Sequence, residues 1–124
     1  MDAGSTFLRA DSDKHLWIVI SDPAKDAERV LLVNLTTLDD RKEKACVLHA
    51  GDHPWIRHES CANYADAVVS TVAKLLAAKD AGAIVLQQPV SAVVLTRLRE
   101  GAMNSSRIAL DKADILIDQR LVEP

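Results

Sequence analysis

Aromatic side chains are scarce in this 124-residue chain: one Phe, one Tyr and two Trp make up 3% of it. The 48% hydrophobic content must therefore be packed mainly as Val, Leu, Ile and Ala. Cysteine is scarce too. Cys46 and Cys61 have no CxxC spacing, which excludes a disulfide framework and predicts reduced thiols. No apolar run reaches bilayer length, the longest being short segments such as Leu16 to Ile20, so no membrane partner is expected. Met1 to Ala10 lacks the basic start and apolar stretch of a signal peptide, and the expectation is a cytoplasmic protein. An excess of positive charge is missing as well. A net charge of −3 argues against tight non-specific binding to nucleic acid, which needs many neutralised phosphates. What remains is a chain long enough for a single domain, 1–124, that folds without metal or disulfide staples.

The charge that is present is unevenly placed. Between Arg41 and His58 the chain carries Arg41, Lys42, Lys44 and Arg57 against Glu43 and Asp52, with three histidines besides. Any contact with a polyanion is expected there, although Arg41 to Lys44 alone also reads as a solvated, mixed-charge loop. Within this region Gly51-Asp52-His53-Pro54-Trp55-Ile56-Arg57-His58 reads as a tight corner followed by a short strand. Pro54 fixes its own φ and pushes His53 into an extended conformation. Alternation then puts Trp55 and Arg57 on one face and Ile56 and His58 on the other. An aromatic ring beside a cation suits a nucleotide's base and phosphate. It equally suits a Trp packed under the alkyl stem of an Arg in a barrel.

Metal-ligand chemistry is the sharper reading of Cys46, His49, His53, His58 and Cys61, which fall within sixteen residues. Their spacing speaks against it, since Cys46 and His49 point to opposite faces of a strand and no pair of tight knuckles is present. No metal or other cofactor is expected.

Taken in order, Phe7 to Ala10 predicts a short strand and Asp11-Ser12-Asp13-Lys14 a turn. His15 to Ser21 is apolar on both faces and predicts a buried central strand; Arg29 to Thr36 runs back beside it after the Asp22-Pro23 turn. Asn34 and Thr36 share a face where the apolar run ends, and Thr37 begins the exit turn. These groups either cap the following loop or line a site. Ala45 to Ala50 predicts a third strand, and Ser60 to Ala67 is a strand or the approach to a helix. From Val68 the period changes. Helices are predicted over Thr71 to Lys79, over Val90 to Met103 with a Val90, Val93, Val94, Leu98 stripe, and over Asp111 to Leu121 with Asp111 as N-cap. Strands first and helices after give an α+β class, mainly β over 6–67 and mainly helical over 68–124.

Two of these segments carry a family resemblance. His15-Leu16-Trp17-Ile18-Val19-Ile20-Ser21 and Val30-Leu31-Leu32-Val33-Asn34-Leu35-Thr36-Thr37 resemble the first two long strands of the PemK and MazF-like toxins of type II toxin-antitoxin systems. The resemblance covers about half the chain, through Ala67. It implies a small SH3-like β-barrel followed by C-terminal helices. It also implies metal-independent cleavage of single-stranded RNA by attack of the 2′-hydroxyl on the adjacent phosphate. Thr37 or Thr36 matches the family's strand-end threonine, while Lys14 or His15 stands where the family commonly has its arginine after an Arg-Pro start. That start is missing here. From chemistry rather than resemblance, His53 and Arg57 are added to Thr37 and His15 as catalytic candidates. Lys14, Thr36, Asn34, Trp55 and His58 are candidates for RNA contact. A cognate antitoxin and a second copy of the chain are the implied protein partners. The alternative is a non-catalytic SH3-like interaction module or degenerate toxin.

Overall fold

The two aliphatic runs pair as expected and form the middle of the molecule. In the computed structural model, which describes residues 1–123 and omits the side chains of Asp13 and Lys14, the elements are β1 (Thr6–Arg9), β2 (Ser12–Val19), β3 (Val30–Thr37), β4 (Val47–Leu48), β5 (Ser60–Ser70), α1 (Val72–Asp80), β6 (Ile84–Gln87), α2 (Ala92–Asn104) and α3 (Leu110–Asp118). All strand pairs are antiparallel, in one sheet of order β4-β5-β3-β2-β1-β6. The class is α+β.

Alternation along β2 and β3 sorts the core into two. Leu16, Ile18, Leu31, Val33 and Leu35 pack with Tyr64, Leu98 and Leu116 on the face covered by α2 and α3. Val19, Val30 and Leu32 pack with Phe7, Leu75 and half-buried Trp17 on the other face, under α1. Each fully buried aliphatic side chain contributes about 1.5–3 kcal/mol, so the unbroken apolar pattern of these strands follows from burial on both sides. Helix α1 starts on Thr71, whose hydroxyl accepts from the Lys74 N–H at 3.1 Å, and stops at Gly82, whose φ of +76° lets the Ala83 N–H reach the Ala78 carbonyl at 2.8 Å.

Several boundaries move for identifiable reasons. β2 begins at Ser12 rather than after a turn through Lys14. The strand expected over Ala45 to Ala50 shrinks to Val47–Leu48; on its open edge Arg97 donates to the Val47 carbonyl at 2.6 Å, and past its end the Asp52 carboxylate takes the His49 N–H at 2.8 Å. Residues 55–58 form no strand; the Ile56 N–H instead closes a turn onto the His53 carbonyl at 3.0 Å. β5 continues to Ser70, with a register shift between the Leu32–Val68 and Asn34–Asn63 pairs, and β6 returns from the helical half to join the sheet. In α2 the buried stripe is Val94, Leu98, Gly101 and Ala102, while Val93 is 69% exposed, because Ser91 caps the helix and sets its phase. α3 starts from Ala109, two residues before Asp111, with no side-chain cap bond, and Asp111 lies in its first turn.

The expected barrel does not close. Edge strands β4 and β6 do not pair with each other. The gap is spanned by side chains. Arg97 on α2 holds Val47 and lies 3.4 Å from the Asp52 carboxylate, and His53 Nε2 donates to the Gln88 carbonyl at 2.5 Å, beyond the end of β6.

At the helix–sheet seam Gly101 is the tightest contact. A Cβ there would collide with Tyr64 Oη and stand 2.7 Å from Cys46 Cβ. Tyr64 cannot retreat, since its hydroxyl donates to the Leu98 carbonyl at 2.6 Å in a buried site. Gly101→Ala is expected to lower unfolding free energy by about 1–3 kcal/mol despite alanine's better helix propensity. Urea denaturation showing an unchanged or raised stability would contradict this packing.

Candidate functional site

The polar residues at the end of β3 are brought together by the strand pairing itself. Thr36 and Thr37 stand opposite Cys61 and Ser60 of β5. The return of the chain into β5 carries His58 onto this end, where His58 Nε2 and Thr37 Oγ1 share a hydrogen bond of 2.9 Å on the surface. Lys42, from the loop after β3, donates to Thr36 Oγ1 at 3.1 Å and to the Thr37 carbonyl at 3.5 Å. From the other side, carrying the Trp17–Asn34 register two residues onward places His15 opposite Thr36. His15 Nδ1 lies 3.0 Å from the Leu35 carbonyl. A carbonyl only accepts, so Nδ1 is the donor there, and Nε2 has no hydrogen-bond partner among the described residues. His58 thus bonds one threonine hydroxyl and Lys42 the other, with His15 on the neighbouring Leu35 carbonyl.

The surroundings favour positive charge. Asp39, 3.8 Å from the Lys42 ammonium, is held below the usual carboxylate range, first by the Arg41 backbone N–H. Burial works against ionisation of Glu43, but hydrogen bonds from Ser105 and Ser106 outweigh it and keep the carboxyl below its ordinary value. Those bonds tie the loop after β3 to the loop after α2. They also bring exposed Arg107 close, its guanidinium donating to the Arg41 carbonyl at 3.2 Å. Cys61, under Thr36, is raised by burial and stays a thiol at neutral pH, as does Cys46. Neither is a nucleophile of the site.

Comparison with family models, with curated proteins and with solved structures gives no match.

Placed one by one, the residues singled out from sequence divide into two groups. His15, Thr36, Thr37 and His58 converge at the end of β3. Asn34 lies one strand repeat further in on the face of Thr36, with 4% of its surface exposed. Trp55 is half-buried and packs against the main core. Arg57 is exposed and makes no hydrogen bond or ion pair among the described residues, and the Lys14 side chain lies outside them. No hydrogen bond among the described residues joins His53 or Arg57 to the threonine end.

His53 has a different employment. It is 4% exposed, its Nε2 donates to the Gln88 carbonyl, and its Nδ1 accepts from the Trp55 N–H at 3.0 Å. Both ring nitrogens are committed, so in this arrangement the imidazole has neither a proton nor a lone pair to offer a substrate. The corner thus ties the loop after β4 to the backbone just beyond β6. The five cysteine and histidine positions scatter as well, and no three metal-ligating groups gather among the described residues.

Lys42 and Arg107 are the residues that sequence reasoning underrated. Lys42 sits in a segment recognisably basic, but only the return of the loop against β3 distinguishes it from its neighbours. Arg107 comes from the distant loop after α2, and nothing local signals its approach. For His53 the expected outcome is structural: NMR of the imidazole nitrogens should show the neutral Nε2–H tautomer, and His53→Ala should cost about 1–3 kcal/mol by orphaning the Trp55 N–H. A tautomer with the proton on Nδ1 would contradict the bond to Gln88.

Proposed function

We propose that this protein is an endoribonuclease that cleaves single-stranded RNA without a metal, after the manner of the PemK and MazF-like toxins it resembles in sequence. What supports the reading is the set of polar groups at the end of β3: His58 Nε2 lies 2.9 Å from Thr37 Oγ1, Lys42 Nζ 3.1 Å from Thr36 Oγ1, and His15 Nδ1 3.0 Å from the Leu35 carbonyl. Transesterification at phosphorus needs one base, one acid and a cation for the phosphorane, and the end of β3 supplies each type of group. One imidazole takes the 2′-hydroxyl proton as the 2′-oxygen bonds to the adjacent phosphorus. The other gives a proton to the departing 5′-oxygen. The products are a 2′,3′-cyclic phosphate and a 5′-hydroxyl. The Lys42 ammonium and the threonine hydroxyls face the non-bridging oxygens, filling the place of the arginine that the resemblance leads one to expect at Lys14 or His15. A lysine supplies a point charge there and not a two-pronged donor.

The same reading supplies the partners: single-stranded RNA, a cognate antitoxin protein and a second copy of the chain. Edge strand β6 exposes Val85 and Leu86 at 53% and 41%, apolar surface that supports association. No helix among the described residues is long and apolar enough to cross a membrane. A barrel closed through the partner copy or an antitoxin segment belongs to the same proposal.

His58→Ala or His15→Ala is expected to reduce cleavage of a short oligoribonucleotide by about 10²–10⁴-fold, with folding retained by circular dichroism. Lys42→Ala is expected to reduce it by about 10²–10³-fold. The rate should fall on both sides of a pH optimum, as an acid–base pair requires. Folded variants that cleave as fast as the parent remove these residues from the mechanism, and a parent that cleaves no RNA leaves the non-catalytic module. Light scattering at micromolar concentration should give a dimer, and a strict monomer would count against the partner assignment.

A further inference from the structure

We infer that Arg107 is a second RNA-binding cation of the threonine end, contacting the phosphate of a nucleotide that flanks the cleaved bond, and that Glu43 positions it; this rests on the RNA-cleaving reading and adds to its substrate contacts. Arg107 reaches the site from the loop between α2 and α3. One carboxylate holds that loop in place. Glu43 Oε1 accepts from Ser105 Oγ at 2.6 Å, and its Oε2 accepts from the Ser106 N–H at 2.8 Å and from Ser106 Oγ at 3.2 Å. Ser105 Oγ in turn accepts from the N–H groups of Arg107 and Ile108, each at 3.1 Å, which fixes the backbone that carries the guanidinium. Three consecutive residues therefore join the two loops to the sheet. The Arg41 carbonyl accepts from Arg107 at 3.2 Å, Lys42 donates to Thr36 Oγ1, and Glu43 takes the serines.

The Arg107 guanidinium is oriented without being neutralised. Arg9, Arg29, Arg41 and Arg97 each have a carboxylate oxygen at 3.4 Å or less. Arg107 is exposed and forms no ion pair among the described residues, since its bond goes to a carbonyl. A guanidinium carries five N–H donors in a planar fork, and the donors left over match two oxygens of one phosphate. Lys42 offers no such fork. The acids nearby are already engaged: Asp39 pairs with Arg41 and Lys42, and both Glu43 oxygens face serine donors. Burial dominates at the Cys61 thiol, which stands opposite Thr36, and among the charges acting on that thiol are both Lys42 and Arg107. The two cations thus belong to the same end of the sheet. They hang on different anchors, a threonine hydroxyl and a backbone carbonyl, which suits two phosphates of one strand better than a single one.

The test uses the full chain and a dye-labelled oligoribonucleotide with 2′-O-methyl groups throughout, which binds without being cleaved, followed by fluorescence anisotropy over a range of salt concentrations. Arg107→Ala is expected to weaken binding by about 3- to 30-fold and to flatten the slope of log K against log salt by about 0.7, as the loss of one single-strand phosphate contact requires. Arg107→Lys should fall between it and the parent. Glu43→Gln removes a negative charge beside a polyanion, which by Coulomb attraction alone tightens binding; loosening of the loop is expected to weaken it by about 2- to 10-fold instead. Ser106→Ala, a milder loosening with no change of charge, should move in the same direction. On a cleavable oligoribonucleotide Arg107→Ala should raise KM more than it lowers kcat, the mark of a contact outside the reacting phosphate. Melting curves establish which variants are folded. A folded Arg107→Ala chain with the parent's affinity and salt slope overturns the contact, and folded Glu43→Gln and Ser106→Ala chains that bind as tightly as the parent or more so overturn the positioning role. Cleavage by the parent with KM unchanged in Arg107→Ala overturns the inference and spares the enzyme reading. Arg107-dependent binding by a parent that cleaves no RNA does the reverse, and a parent that does not bind the oligonucleotide overturns both.

Discussion

The sheet of this protein has two unpaired edges, and the shape of the molecule depends on what spans them. The span is polar and specific. The Gln88 carbonyl receives two donors at once, Thr6 Oγ1 at 2.7 Å from β1 and His53 Nε2 at 2.5 Å from the loop after β4. Asp52, one residue earlier, accepts from the His49 N–H and lies within reach of Arg97, which in turn holds the Val47 carbonyl at β4. A closed barrel satisfies its edges with a ladder of backbone bonds; here a handful of side chains does so, at a place where the chain also covers the main core with Ile56 and Trp55. Most of those bonds are partly buried, so removing one leaves its partner poorly satisfied, and the loop they hold is the one that leads to His58.

This arrangement divides four histidines between scaffold and surface by the number of ring nitrogens that the protein itself uses. His53 spends both and is buried. His15 spends one on a carbonyl and faces the open side of the sheet. His58 shares its Nε2 with a hydroxyl at the surface, and His49 pairs at 3.3 Å with Glu59, both well exposed. Reactivity at a site requires an uncommitted nitrogen, so the conformation and not the residue type separates candidates from structural members.

Much of the fold was legible because it rests on local periodicity. The unbroken aliphatic runs of β2 and β3, the change of period after Val68 and the stop at Gly82 each state their own conformation. What was not legible depends on partners far along the chain. His53 and Gln88 are 35 residues apart, Glu43 and Ser105 are 62 apart, and no spacing rule connects either pair. Residues 55–58 read as a strand from alternation, but the Ile56 N–H turns back to the His53 carbonyl, so the period-2 rule does not set the faces of Trp55 and Arg57.

That partly open face is where stability and chemistry meet. A two-sided core would be best served by a second helix beside α1, and the sheet instead ends there with half-exposed Trp17, a buried amide oxygen lacking a donor, and threonines held by a lysine. The register shift in β5 falls between the Leu32 and Asn34 pairs, at the border between the covered and uncovered parts. Extra residues in one strand of a pair bend it and re-aim its side chains, and beyond the shift β5 sets Asn63 and Cys61 against Asn34 and Thr36. The polar tract is therefore built into the strand pairing and is not an accident of loose loops, and a sequence change that restored regular pairing would move Asn34 and Thr36 relative to His58 without touching any of them.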